Sequence, residues 1–104
     1  MKPATPAEWA LSMTIPVIEE ECKISEIDLL GMSRLPSLVR ARAWLYWALT
    51  LTGLTYREIG RVTGRRDHSG VSRMVRKLVL RSKTNEADQA RMNRLRERLK
   101  DVVV

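Results

Sequence analysis

Apolar residues recur at helical spacing along most of the chain, and the pattern is clearest between residues 55 and 81, TYREIGRVTGRRDHSGVSRMVRKLVLR. Ile59 and Val62 stand at i, i+3 and predict a short helix. Thr55 followed by Glu58 forms a capping box at its start, in which each side chain satisfies a free backbone donor. Gly64 suits the left-handed residue that ends a helix. Asp67 or Ser69 can open the next one, where Val71, Met74, Val75 and Leu78 share a face at i, i+3, i+4, i+7. Upstream, Leu38, Ala41, Leu45, Ala48 and Leu49 form a continuous stripe, widened by Trp44, Trp47 and Leu51. This predicts a long helix from about Leu35 to Thr52, ended by Gly53 and buried between its neighbours.

The flanks read less sharply. Residues 1–5 form a loose end, and Thr5-Pro6-Ala7-Glu8 opens a helix through Met13. Pro16 then either kinks that helix or lets a second one start at Thr14 and run to about Lys23. In the second case Ile15, Ile18 and Cys22 point inward, and Glu19, Glu20 and Glu21 face water as a solvated surface. Ser25-Glu26-Ile27-Asp28 caps a short turn stopping at Gly31, with Ile24, Ile27 and Leu30 inward. After a break at Ser82-Lys83-Thr84, Thr84 caps a last helix over about 85–101. Its Met92, Leu95, Leu99 and Val102 form a seam. The favoured reading folds that seam back on the domain. The other makes it a short helix–helix homodimer contact, with under three heptads of support. Val102, Val103 and Val104 are expected to fray.

A short helix, a glycine turn and a second helix with a polar, basic outer face make a helix-turn-helix. The outer positions of the second helix hold His68, Ser69, Ser72, Arg73, Arg76 and Lys77. In that motif the second helix enters the DNA major groove, and its N-terminal residues reach base edges. The plainer alternative is a pair of helices in an ordinary bundle with a solvated face.

The run Glu58-Ile59-Gly60, then Gly64-Arg65-Arg66-Asp67-His68-Ser69 and Val71, closely resembles the DNA-binding domain of the bacterial replication initiator DnaA. The likeness covers residues 15–82. It implies an all-α fold, a small helical bundle containing a helix-turn-helix like DnaA domain IV or the Trp repressor. The whole chain, 1–104, then reads as a single DNA-binding domain. Residues 1–14 form an extension, 15–82 the core with the helix-turn-helix at 55–81, and 84–101 a C-terminal helix.

The resemblance also implies a contact set on double-stranded DNA. Asp67, His68 and Ser69 would read major-groove edges; Asp accepts from a cytosine amino group, and His and Ser pair with either base type. Asp67 can also cap the helix. Thr55, Tyr56 and Arg57 approach the groove wall, and Arg66, Arg73 and Lys77 reach phosphates. Arg34, in the basic loop Ser33-Arg34-Leu35-Pro36, matches the family's minor-groove arginine, drawn there by the negative potential of a narrow groove. Arg40 and Arg42 both resemble the family's phosphate-contacting arginine. Arg42 lies one residue too close to Glu58 for the family spacing and Arg40 one too far, so the match stays open, with Arg42 taken into the contact set. Ser69 and Gly70 stand where many relatives have threonines. The glycine costs about 1 kcal/mol of helix propensity, and the loss of both methyls leaves open whether the target is the usual initiator box.

Charge supports the DNA reading. The net charge of +7 is uneven: residues 1–31 carry −4, residues 32–83 carry +10, and residues 84–104 carry +1. Ten of the twelve positive residues in the middle segment are Arg, which fork onto phosphate and guanine better than Lys does. Phosphate contacts need such a surface. A basic surface alone would equally fit an acidic protein or a membrane surface.

The remaining composition mainly excludes. Among 104 residues there is one cysteine and one histidine. Cys22 is expected to be a buried small apolar residue in a reduced, cytoplasmic, nucleoid-associated setting. The longest apolar run, Ala43 to Leu49, is far short of a membrane span, and Pro6 and Glu8 stand where a secretion signal needs apolar residues. No catalytic set, metal site or cofactor motif is visible, and the chain has no room for an ATPase portion. Two function classes follow. One is a sequence-specific DNA-binding module, a DnaA-like regulator or replication-associated domain. The other is a protein-interaction module of the same fold, associating with a larger replication or regulatory protein.

Overall fold

The computed structural model describes residues 5–64 and 67–104. Those residues form the helices α1 Pro6–Cys22, α2 Glu26–Leu29, α3 Pro36–Leu51, α4 Tyr56–Val62, α5 His68–Ser82 and α6 Glu86–Arg98, with no strand among them. The all-α expectation therefore holds. The long apolar stripe is the axis of the molecule: α3 packs against every other helix. Trp44 and Trp47 are buried, with Tyr46, Leu45, Ala48 and Leu49, and the two indoles meet edge to face at 5.9 Å.

Several local expectations are corrected. Of the two readings of Pro16, the second helix starting at Thr14 is ruled out, because α1 runs through the proline. The buried residues Ala10, Thr14, Val17 and Ile18 lie on both sides of the proline along one face. Their packing outweighs the roughly 3 kcal/mol an internal proline costs. In the short α2 the inward residue is Leu29, whereas Ile27 is 83% exposed. Ser25 does cap that turn, accepting from the Asp28 backbone N–H. The last helix is capped by Asn85 rather than Thr84.

The C-terminal seam folds inward. Met92, Leu95, Leu99 and Val102 are all buried in the domain's own core, so this seam is not available for a homodimer. The terminus is docked rather than frayed, with the Val104 N–H donating to the Thr52 carbonyl at 2.9 Å. Nor is the acidic run of α1 a merely solvated face. Glu21 receives Arg94 at 2.9 Å and Arg91 at 3.3 Å, Glu20 receives Arg98 at 2.8 Å, and Glu19 accepts from the Glu26 backbone N–H. The Arg94 guanidinium, in spite of partial burial, holds the Glu21 carboxyl below its ordinary range. Arg91 and Arg96 also cover the faces of Trp44 and Trp47, an arrangement favoured by the ring quadrupole. The cations of α6 are thus largely engaged with α1 and with the tryptophans.

Cys22 is half-buried, and desolvation pushes its thiol up from the ordinary value. No helix among the described residues is long and apolar enough to cross a membrane.

Candidate nucleic-acid interface

The candidate interface draws on α4 and α5. Thr55 and Glu58 form the expected capping box: the Thr55 N–H donates to Glu58 Oε1 at 3.0 Å, and the Glu58 N–H donates to Thr55 Oγ1 at 3.2 Å. The backbone N–H of Thr55 is the main reason the Glu58 carboxyl lies below its ordinary range. Ile59 is fully buried and Gly60 is buried. The Glu-Ile-Gly run therefore caps and anchors α4. Gly64 has φ 82, a left-handed conformation that glycine adopts without steric cost. The helix-turn-helix expected over 55–81 is present on both sides of residues 65 and 66. Arg66, expected on a phosphate, lies outside the described residues, as does Arg65.

Asp67 is the N-cap of α5 and accepts from the Ser69 backbone N–H at 3.0 Å. Its capping role is therefore realised while the side chain stays exposed. A Cβ at residue 70 would lie 3.3 Å from Asp67 Oδ2. Gly70 thus leaves room for the Asp67 carboxylate beside the first turn. His68 and Ser69 are exposed beside Asp67. Val71, Val75 and Leu78 are buried on the inner face, and Arg73, Arg76 and Lys77 are exposed on the outer one. Ser72, expected on the outer face, is instead buried at the edge of the core.

On α4, Arg57 is exposed. Tyr56 is half-buried, with its ring packed against the core, so much of its surface already serves the fold. Thr55 is exposed, but its hydroxyl is committed to the capping box.

Arg34, Arg40, Lys77 and Arg81 all line a groove between the first half of α3 and the second half of α5. Arg34, Arg40 and Lys77 are exposed. Arg81 approaches Asp88 at 3.4 Å.

Among the described residues of the expected contact set, Arg42 is withdrawn from the surface. It is 1% exposed. Its Nε donates to the Leu29 carbonyl at 3.1 Å, its Nη2 to the Asp28 carbonyl at 2.7 Å, and its Nη1 to the Ser33 carbonyl. The guanidinium thus ties α3 to the end of α2 and to the loop that carries Arg34. Gly31 lines the same cradle: a Cβ there would lie 2.9 Å from the Ile27 carbonyl oxygen and 4.0 Å from Arg42 Nη2. Of the two arginines, Arg40 is the one at the surface. The sequence contained the signal, since Leu38, Arg42, Leu45 and Leu49 share the inner face at i, i+4, i+7, i+11.

A match to the family described as bacterial DnaA protein helix-turn-helix covers residues 12–78. The chain belongs to this family. The match begins within α1 and ends within α5, so α6 lies beyond it. Membership implies DNA binding. Neither curated proteins nor solved structures give a match.

Proposed function

We propose that this DnaA-family chain is a sequence-specific double-stranded DNA-binding module that acts as a DnaA-like regulator or replication-associated protein in the cytoplasm, at the nucleoid. The observation that carries this reading is the N-terminal end of α5. Asp67, His68 and Ser69 project there into solvent together, on a helix whose outer face continues as Arg73, Arg76 and Lys77. Fifteen residues give α5 a length of roughly 22 Å. Its leading turn can enter the major groove while later turns meet the sugar–phosphate wall. His68 and Ser69 are the readers. Asp67 has one carboxylate oxygen on the cap and the other for a cytosine amino group. Arg73 and Lys77 bind phosphates, Arg40 takes the phosphate role that Arg42 cannot, and Arg34 reaches the adjacent minor groove. Arg57 meets the groove wall at the start of α4.

Selection of bound duplexes from a random pool, followed by salt titration on the enriched sequence, tests this. The expected result is one enriched motif, a log affinity that falls linearly with log salt, and a preference over random DNA that persists as salt rises. A motif like the initiator box would favour replication, and a different motif would favour transcription. Binding with no enriched motif would overturn sequence specificity and leave a phosphate-binding module.

A further inference from the structure

The groove between α3 and α5 has a property that DNA does not use. It has a volume of about 610 Å³, its lining includes the apolar residues Val39, Met74 and Leu80, and its charged lining residues are all cations. Leu80 is 67% exposed and Val39 38% exposed. A duplex could engage the cations, but its backbone offers no apolar partner for these exposed side chains. Leu80 also lies twelve residues beyond His68, roughly 18 Å along the helix from the base-reading end. Apolar side chains interleaved with the cations Arg34, Arg40 and Lys77 in one groove are the complement of an amphipathic helix whose polar flanks are acidic.

We propose that this groove docks an acidic amphipathic helix from a protein partner, and that docking competes with duplex DNA. The apolar face of the helix would lie on Val39, Met74 and Leu80, with its acids toward Arg34, Arg40 and Lys77. Arg81, whose side chain is 46% exposed beside Asp88, also lines the groove. The competition rests on the DNA reading above, because Arg34, Arg40 and Lys77 are assigned to both ligands. The docking itself does not.

The test uses the full chain and a fluorescein-labelled model peptide of about 14 residues, a typical helix length. It carries leucines at i, i+3, i+4 and i+7 and Glu or Asp elsewhere. A second peptide of the same composition has its leucines scattered round the helix. Fluorescence anisotropy without DNA is expected to show binding of the first and about tenfold weaker binding of the second. Leu80→Asn is expected to weaken the first peptide about tenfold, with an unchanged melting temperature and unchanged duplex affinity. Saturating duplex is expected to displace the peptide from the native chain. Equal binding of the two peptides would reduce the interaction to charge and overturn the dock, as would undiminished binding by Leu80→Asn. Self-association abolished by Leu80→Asn, without peptide binding, would make a second copy the occupant and refute the proposal. A peptide that stays bound under saturating duplex would overturn the competition. Absence of duplex binding in a chain that still binds the peptide would refute the DNA reading and leave the dock standing.

Discussion

The burial of Arg42 leads to a prediction that separates a structural arginine from a phosphate contact. In Arg42→Lys the positive charge stays, but one ammonium cannot replace a planar fork that donates to three carbonyls on Asp28, Leu29 and Ser33. Hydrogen bonds from a charged donor are worth about 1.5–3 kcal/mol each in net terms. Only part of that total appears on substitution, because lysine keeps some of the bonding and a shifted ammonium recovers some hydration. A loss of about 2 kcal/mol is expected for Arg42→Lys. For Arg42→Met, which fills similar space and leaves all three carbonyls without this donor, about 3–4 kcal/mol is expected, in the range for breaking a buried charged network. Against a total stability of about 5–15 kcal/mol, the methionine variant would melt at least about 12 °C lower. Urea unfolding followed by tryptophan fluorescence measures this, with buried Trp44 on the same helix as the reporter. A phosphate contact behaves oppositely: Lys would largely preserve binding, stability would change by less than about 0.5 kcal/mol, and Met would lower the salt slope by about 1. Urea midpoints equal to that of the native chain in both variants would refute the buried role.

Other expectations follow from the same geometry. Arg73→Ala and Lys77→Ala should each weaken binding to every duplex and lower the slope of log affinity on log salt by about 1, and an unchanged slope in both would count against the docking of α5. His68→Ala should cost about 1–3 kcal/mol on the selected site and little on random DNA; equal losses on both would mean that the imidazole positions the domain without reading sequence. Glu21 has a folded-state pKa depressed chiefly by Arg94, so its contribution to stability is complete above the ordinary glutamate pKa of about 4.3. That contribution is lost as pH falls through the lower folded value. Native and Glu21→Gln urea midpoints should therefore differ at neutral pH and converge in acid, and a gap that persists below the folded pKa would contradict the assignment. Leu95→Ala should cost about 2–5 kcal/mol in unfolding free energy with no change in sedimentation, because Leu95 is fully buried within its own domain; a shift in oligomeric state would restore the dimer seam.

What the sequence by itself determined is local. The capping box at Thr55 and Glu58, the left-handed Gly64, a cap at Asp67 or Ser69 and the inner faces of α3 and α5 depend on residues within a few positions of one another. Their chemistry is therefore written in the string. The Glu-Ile-Gly and Arg-Asp-His-Ser runs carried the family for the same reason. Tertiary structure decided the matters that depend on distant partners. Whether Pro16 ends a helix depended on burial along α1 on both sides of it, and whether Glu21 faces water depended on Arg91 and Arg94, some seventy residues away. The direction of the α6 seam depended on a core assembled from the other helices. Arg42 stands between the two cases: its register placed it on the apolar face, but only the carbonyls of α2 and the following loop, brought within reach by the fold, make burial of a guanidinium there tolerable.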